Sequence, residues 1–175
     1  YGADGLGLER GQRVTVRDCV IHDNAGDGID LNSRDFDGHV EGILVEGNRV
    51  YRNHRQGIKL WAGGTMRHNQ VWGQGVGPVM LGIHPGGYVV DHNTIAFNMR
   101  DASYSERDYS FVAGYPQEDG AADLDLTLTN NIFAFNGSDA TDGPTGIYLG
   151  PGVTLVDSGG NLFFSREDTE IEAGF

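Results

Sequence analysis

Lys59 is the single lysine of the chain, and it sits in a short alternating segment, Gly57-Ile58-Lys59-Leu60-Trp61. A segment of the same pattern, Asp27-Gly28-Ile29-Asp30-Leu31, precedes it. In an extended strand, successive side chains point to opposite faces. Ile29, Leu31, Ile58 and Leu60 therefore turn inward, and Asp30 and Lys59 turn outward. Stacked in register, Asp30 lies beside Lys59. Asp27 and, one repeat earlier, Asp4 each stand just before a strand glycine. Three carboxylates on two neighbouring strands form a ligand set for Ca²⁺, which takes six to eight oxygens. Water, a substrate, or Asp35 and Asp37 in the following loop would supply the rest. A lysine crowded by a cation and by arginines releases its proton more easily, and a neutral lysine is a general base. The plainer chemistry is that Asp30 and Lys59 form an exposed ion pair worth about 0–1 kcal/mol. Asp4 and Asp27 would then be turn residues that accept backbone N–H groups.

The elements that must position these residues are read from internal repeats. Val16–Asn24, Val45–Asn53, Met66–Gln74, Val90–Asn98 and Leu128–Asn136 align, with a degenerate copy around Asn161–Ser165. From Cys19 the spacing between matching positions is 29, 21, 24, 38 and 30 residues. A period of that size is one coil of a parallel β-helix with loops of variable length. Each copy holds an apolar strand, an Asn corner, a second short strand and a second Asn. Asn48, Asn69, Asn93, Asn131 and Asn161 form one expected ladder, and Asn24, Asn53, Asn98 and Asn136, with Gln74 substituting, form another. An Asn at a corner accepts left-handed backbone angles, and its amide reaches the Asn of the next coil, about 4.8 Å away. Before each copy comes a further strand: Gly5–Leu8, Gly28–Leu31, Gly57–Leu60, Pro78–Leu81, a poorly aligned one near Tyr109–Ala113, and Gly146–Leu149. The predicted fold is all-β, a right-handed parallel β-helix of about six coils, in one domain over residues 1–175.

On the face strands the outward column reads Gly7, Asp30, Lys59, Met80, an unaligned residue and Tyr148. The next outward column reads Glu9, Asn32, Trp61, Gly82, an unaligned residue and Gly150. A column that changes character from coil to coil suits a binding face. Residues 32–41 and 99–123 break the period, and such insertions often wall a groove. Arg52 and Arg55 read as solvated corner residues, and Trp61 as an exposed or loop-covered aromatic. His84 ends the fourth face strand, as a catalytic acid, a substrate contact or, more simply, a turn residue. His68 and His92 stand beside ladder asparagines and read as corner packing. Residues 166–175 are an acidic cap or a disordered tail.

The formal charge is −13, unevenly spread. Residues 1–67 carry nine basic and ten acidic side chains, against three basic and fifteen acidic in the remainder. So acidic a chain argues against nucleic-acid binding, and a near-neutral first half with clustered arginines suits a polyanionic substrate. Cys19 is the single cysteine, so no internal disulfide forms. No stretch is long and apolar enough to span a membrane. The chain opens in mid-pattern at Tyr1, without Met or signal peptide, which suggests a segment of a longer protein.

Asp-Gly-Ile-Asp-Leu followed one coil later by Gly-Ile-Lys-Leu resembles the family nine polysaccharide lyases, which are right-handed β-helix pectate lyases. The resemblance covers about 60 residues and implies Asp27 and Asp30 as Ca²⁺ ligands, Asp4 as a third, and Lys59 as the base that takes the C5 proton of a uronate. It also implies an acidic polysaccharide as partner, with Arg34, Arg52 or Arg55 neutralising its carboxylates and Trp61 stacking on a sugar ring, and a secreted or cell-surface location. Ala25-Gly26 replaces an acidic position of that family, and Ile29 and Ile58 replace aromatic ones. Tyr1-Gly2-Ala3-Asp4 resembles the Tyr-Gly-x-Asp-Pro-His opening of alginate C5-epimerases, with Gly5-Leu6 in place of Pro-His. The expectation is therefore a Ca²⁺-assisted polysaccharide lyase. The alternatives are a non-catalytic carbohydrate-binding or structural module, a C5-epimerase, or a glycoside hydrolase using Asp27 and Asp30 as its carboxyl pair.

Overall fold

The computed structural model describes residues 3–32, 42–82, 84–98, 109–114, 123–136 and 146–164. Among them there is no helix, and the strands form three parallel six-stranded sheets. The first holds β1 (Leu6–Leu8), β4 (Ile29–Leu31), β7 (Ile58–Leu60), β10 (Val79–Leu81), β13 (Tyr109–Ala113) and β16 (Gly146–Leu149). The second holds β2 (Thr15–Arg17), β5 (Leu44–Glu46), β8 (Gly64–Arg67), β11 (Gly86–Asp91), β14 (Leu124–Thr129) and β17 (Val153–Gly159). The third holds β3 (Val20–His22), β6 (Arg49–Tyr51), β9 (Gln70–Trp72), β12 (Thr94–Ala96), β15 (Ile132–Ala134) and β18 (Leu162–Phe164). Each coil contributes one strand to each sheet, so strands far apart in sequence become neighbours.

Strand alternation sets the core. Ile29, Leu31, Ile58, Leu60, Val79 and Leu81 all point inward and are at most 1% exposed. Burying each such side chain stabilises the fold by about 1.5–3 kcal/mol. The register is in phase: Gly7, Asp30, Lys59, Met80, Val112 and Tyr148 form one column. Val112 thus fills the place the sequence left unaligned.

Both amide ladders are present. Asn48, Asn69, Asn93 and Asn131 each donate from Nδ2 to the Oδ1 of the next rung, at 2.9–3.0 Å, ending on Asn161. The same Oδ1 atoms also accept the backbone N–H one coil below. The left-handed angles fall elsewhere than expected. They belong to the residue before each rung: Asp18, Gly47, His68, His92, Asn130 and Gly160 on the first ladder, and Asp23, Arg52, Gly73, Phe97 and Phe135 on the second. The chain reverses just ahead of the Asn, which leaves the rung residue free to aim its amide along the stack.

In the second ladder Gln74 interrupts the pattern. Its Oε1 accepts the Asn53 backbone N–H at 3.1 Å, but the buried Asn53 Nδ2 has no hydrogen-bond partner. The extra methylene of Gln carries the oxygen past the point where both donors meet it. Gln74→Asn is expected to restore the two-donor rung and to raise stability by about 1 kcal/mol, read as a higher denaturation midpoint with an unchanged slope.

Candidate active site on the first sheet

Four side chains from the first three coils meet on the outer side of the first sheet. Asp30 and Lys59 are Cα partners on β4 and β7, and Lys59 Nζ lies 3.6 Å from Asp30 Oδ2. Its shorter contact is to Asp27 Oδ2, at 2.5 Å. Asp27 precedes β4 and is 2% exposed, and the Lys59 side chain is 11% exposed. This is a buried ion pair rather than the exposed one of the plainer sequence reading.

Each carboxylate spends one oxygen on the fold. Asp4 Oδ1 accepts the Asp27 N–H at 2.7 Å, and Asp27 Oδ1 accepts the Gln56 N–H at 2.8 Å. Asp30 Oδ1 accepts Trp61 Nε1–H at 2.7 Å. The turn role and the cluster role of Asp4 and Asp27 therefore coexist, one oxygen for each. Asp4, Asp27 and Asp30 offer ligand atoms within 4.8 Å of one another. Two oxygens at 2.3–2.6 Å from a shared Ca²⁺ can be at most about 5 Å apart, so the donor set fits that ion. Water or substrate would have to complete its shell.

Burial pushes the Asp30 carboxyl above its usual range. The Lys59 charge and the Trp61 hydrogen bond oppose that rise, and the charges of Asp27 and Asp4 add to it.

Trp61 differs from its expected place. It is 9% exposed, not an outward platform. Strand β7 ends at Leu60, so alternation no longer governs Trp61, and the bend turns the indole toward Asp30. Lys59 Nζ lies 5.6 Å from the ring centroid. The neighbouring positions of the second column are drawn in at this bend too: Asn32 is 3% exposed, and a Cβ at Gly82 would stand 2.0 Å from Trp61 O.

The sequence matches the family described as right handed beta helix region over residues 2–169. The chain belongs to this family. No curated protein and no solved structure matches it. Membership in the right-handed β-helix family agrees with the three parallel sheets and leaves the chemistry to the individual site.

Other expected site residues of this β-helix lie apart from the four. Arg52 follows β6 and is committed to Asp23, through Nε at 2.8 Å and a second nitrogen at 2.5 Å. Its guanidinium, together with His22, holds the Asp23 carboxyl down at about 2. Arg55 is exposed at the corner before β7, where its N–H donates to Gly26 O. His84 is half-buried, its N–H donating to Trp61 O and its carbonyl accepting from the Tyr88 hydroxyl. Arg34, Asp35, Asp37 and residues 166–175 lie outside the described residues. No helix among the described residues is long and apolar enough to cross a membrane.

Sequence reasoning missed Gly26. A Cβ there would stand 2.2 Å from Asp4 Oδ1 and 2.9 Å from the Ala3 carbonyl carbon. Glycine at this corner is what lets Asp4 close over Asp27. The signal was visible in the sequence as the small pair Ala25-Gly26 directly before Asp27.

Proposed function

We propose that this β-helix is a polysaccharide lyase-like enzyme that cleaves a uronate-containing polysaccharide by β-elimination, with Lys59 as the base and Ca²⁺ as cofactor. The observation that carries the reading is the convergence of Asp4, Asp27 and Asp30 within 4.8 Å, with Lys59 Nζ against two of them. Bound by the three carboxylates, Ca²⁺ would hold the substrate carboxylate and offset the negative charge that builds on it as C5 loses its proton. Lys59, as the amine, takes that proton on Nζ. The C–H electron pair becomes the C4=C5 double bond, the C4–O bond breaks, and the departing oxygen takes a proton from solvent. Asp27 and Asp30 hold Nζ in place, and Trp61 fixes Asp30 through Nε1.

The test is the ultraviolet absorbance of the unsaturated product, followed on polygalacturonate and on alginate with and without Ca²⁺. A Ca²⁺-dependent rise supports the lyase. Absence of any rise on either polymer sinks it and favours the second reading, a non-catalytic carbohydrate-binding or structural module. That reading is favoured by how far Lys59 is withdrawn into its ion pairs.

Gly26→Ala is expected to displace Asp4 and weaken Ca²⁺ binding about 10–100-fold, the range seen when a supporting residue of a metal site is lost. Calorimetric titration with Ca²⁺ reads this. An unchanged isotherm would remove Asp4 from the ligand set.

A further inference from the structure

A second cluster of chemistry-bearing side chains lies on a different corner, where the second sheet passes into the third. His68 and His92 occupy the same left-handed position on adjacent coils, with φ of 55° and 53°. The His68 N–H donates to Asp91 O, which locks the two turns one above the other. Their rings are 5.2 Å apart between centroids and tilted by 40°.

His92 is oriented by a fixed carboxylate. Its Nδ1 lies 2.8 Å from Asp91 Oδ2. An ionised carboxylate only accepts, so Nδ1 carries the hydrogen and the lone pair of the neutral ring is on Nε2. The other oxygen, Asp91 Oδ1, accepts from Thr129 Oγ1 at 2.7 Å and from Asn130 Nδ2 at 3.1 Å. Asp91 is therefore held from the next coil and cannot swing away. The His92 side chain is 52% exposed, so Nε2 is open to solvent ions.

We propose that His68 and His92 bind one divalent transition ion of the Zn²⁺, Ni²⁺ or Cu²⁺ class, with Asp91 as the positioning residue. Imidazole nitrogens select these borderline ions over Ca²⁺. Metal–nitrogen bonds of about 2.0–2.1 Å require the two nitrogens to lie within about 4.2 Å of each other, which rings with centroids 5.2 Å apart meet when their nitrogen edges turn toward one another. A ligating histidine that donates its other ring N–H to a carboxylate is the usual supporting arrangement of such sites. Asn130 Oδ1 is turned toward Gly160, 2.4 Å from where a Cβ would stand there, and so is no third ligand. Arg67, just before His68, is paired with Glu46 at 2.7 Å, which lessens its repulsion of an incoming cation. Water completes the shell, and the bound ion ties two coils together.

The experiment is a calorimetric titration of the full chain with Ni²⁺ under saturating Ca²⁺, so that the carboxylate cluster does not contribute. His68→Asn and His92→Asn are the variants to use, because Asn tolerates the left-handed backbone and is a poor ligand for these ions. Circular dichroism without metal verifies that they fold. The expected result is one Ni²⁺ per chain, removed by either histidine substitution and weakened about 10–100-fold by Asp91→Asn. Cu²⁺ bound to the wild type should give a two-nitrogen pattern in electron paramagnetic resonance. The same isotherm from wild type and the double variant H68N/H92N, or no binding by the wild type, overturns the proposal.

Discussion

Lys59→Arg is expected to leave the coil stack folded and to abolish formation of the unsaturated uronate. Asp27 is 2% exposed and its Oδ2 rests on the Lys59 ammonium, so the position requires a cation. Arginine supplies one, and its planar fork can engage Asp27 and Asp30 together. A guanidinium does not give up its proton in a protein, so it cannot take one from C5. A positioned general base contributes about 10²–10⁴-fold, and kcat should fall by that factor while the melting temperature stays near that of the wild type. Lys59→Met makes the contrast. It fills similar space but leaves the Asp27 carboxylate buried against the Gln56 N–H. Breaking a buried pair by removing one partner costs roughly 3–5 kcal/mol, so the methionine variant should lose both stability and turnover. Should Lys59→Arg keep its turnover, the base is another group and Lys59 is a counter-ion.

A stability effect of comparable size is expected at the middle of the first ladder. Asn69 is 1% exposed, and its Oδ1 accepts both the Asn48 backbone N–H and Asn48 Nδ2 at 3.0 Å. Its Nδ2 donates to Val45 O and to Asn93 Oδ1, each at 2.9 Å. Asn69→Ala removes all four bonds in one step. Asn93 Oδ1 keeps the Asn69 backbone N–H and Asn48 Nδ2 keeps Val16 O, but the Asn48 backbone N–H, one Nδ2 hydrogen of Asn48 and the Val45 carbonyl lose these partners in a dry interior. Each orphaned group costs about 1–3 kcal/mol, so a loss on the order of 4 kcal/mol is expected in equilibrium denaturation. Asn161 ends the ladder in a partly buried position and is the internal control. Asn161→Ala should cost clearly less, because water can reach what it exposes. Equal losses at the two positions would mean that the ladder amides do not act through burial.

The sequence by itself determined the coil, the ladders and the alternation that pairs Asp30 with Lys59. These are local, periodic properties: a two-residue strand repeat and an Asn at each corner say where the strands lie, except on the fifth coil, where the long insertion before Tyr109–Ala113 blurs the repeat. Asp4 and Asp27 were legible as carboxylates before strand glycines, and Lys59 as a charged residue on an outward column. The ligand and base roles proposed for them rest on residue chemistry and on resemblance together. What the tertiary structure alone decided lies past the strand ends. Trp61 alternates on paper to the outside, yet the chain bends after Leu60 and its indole goes to Asp30 on the coil below. The left-handed angles fall on His68, His92 and their equivalents rather than on the ladder asparagines, because the turn must be complete before the amide can aim along the stack. Lys59 chooses Asp27 more closely than Asp30, its cross-strand neighbour, because the corner brings the Asp27 carboxylate within reach of a long side chain. Alternation fixes which face a strand residue occupies. At a corner, the neighbouring coil fixes it, and that neighbour is 21 to 38 residues away in the chain.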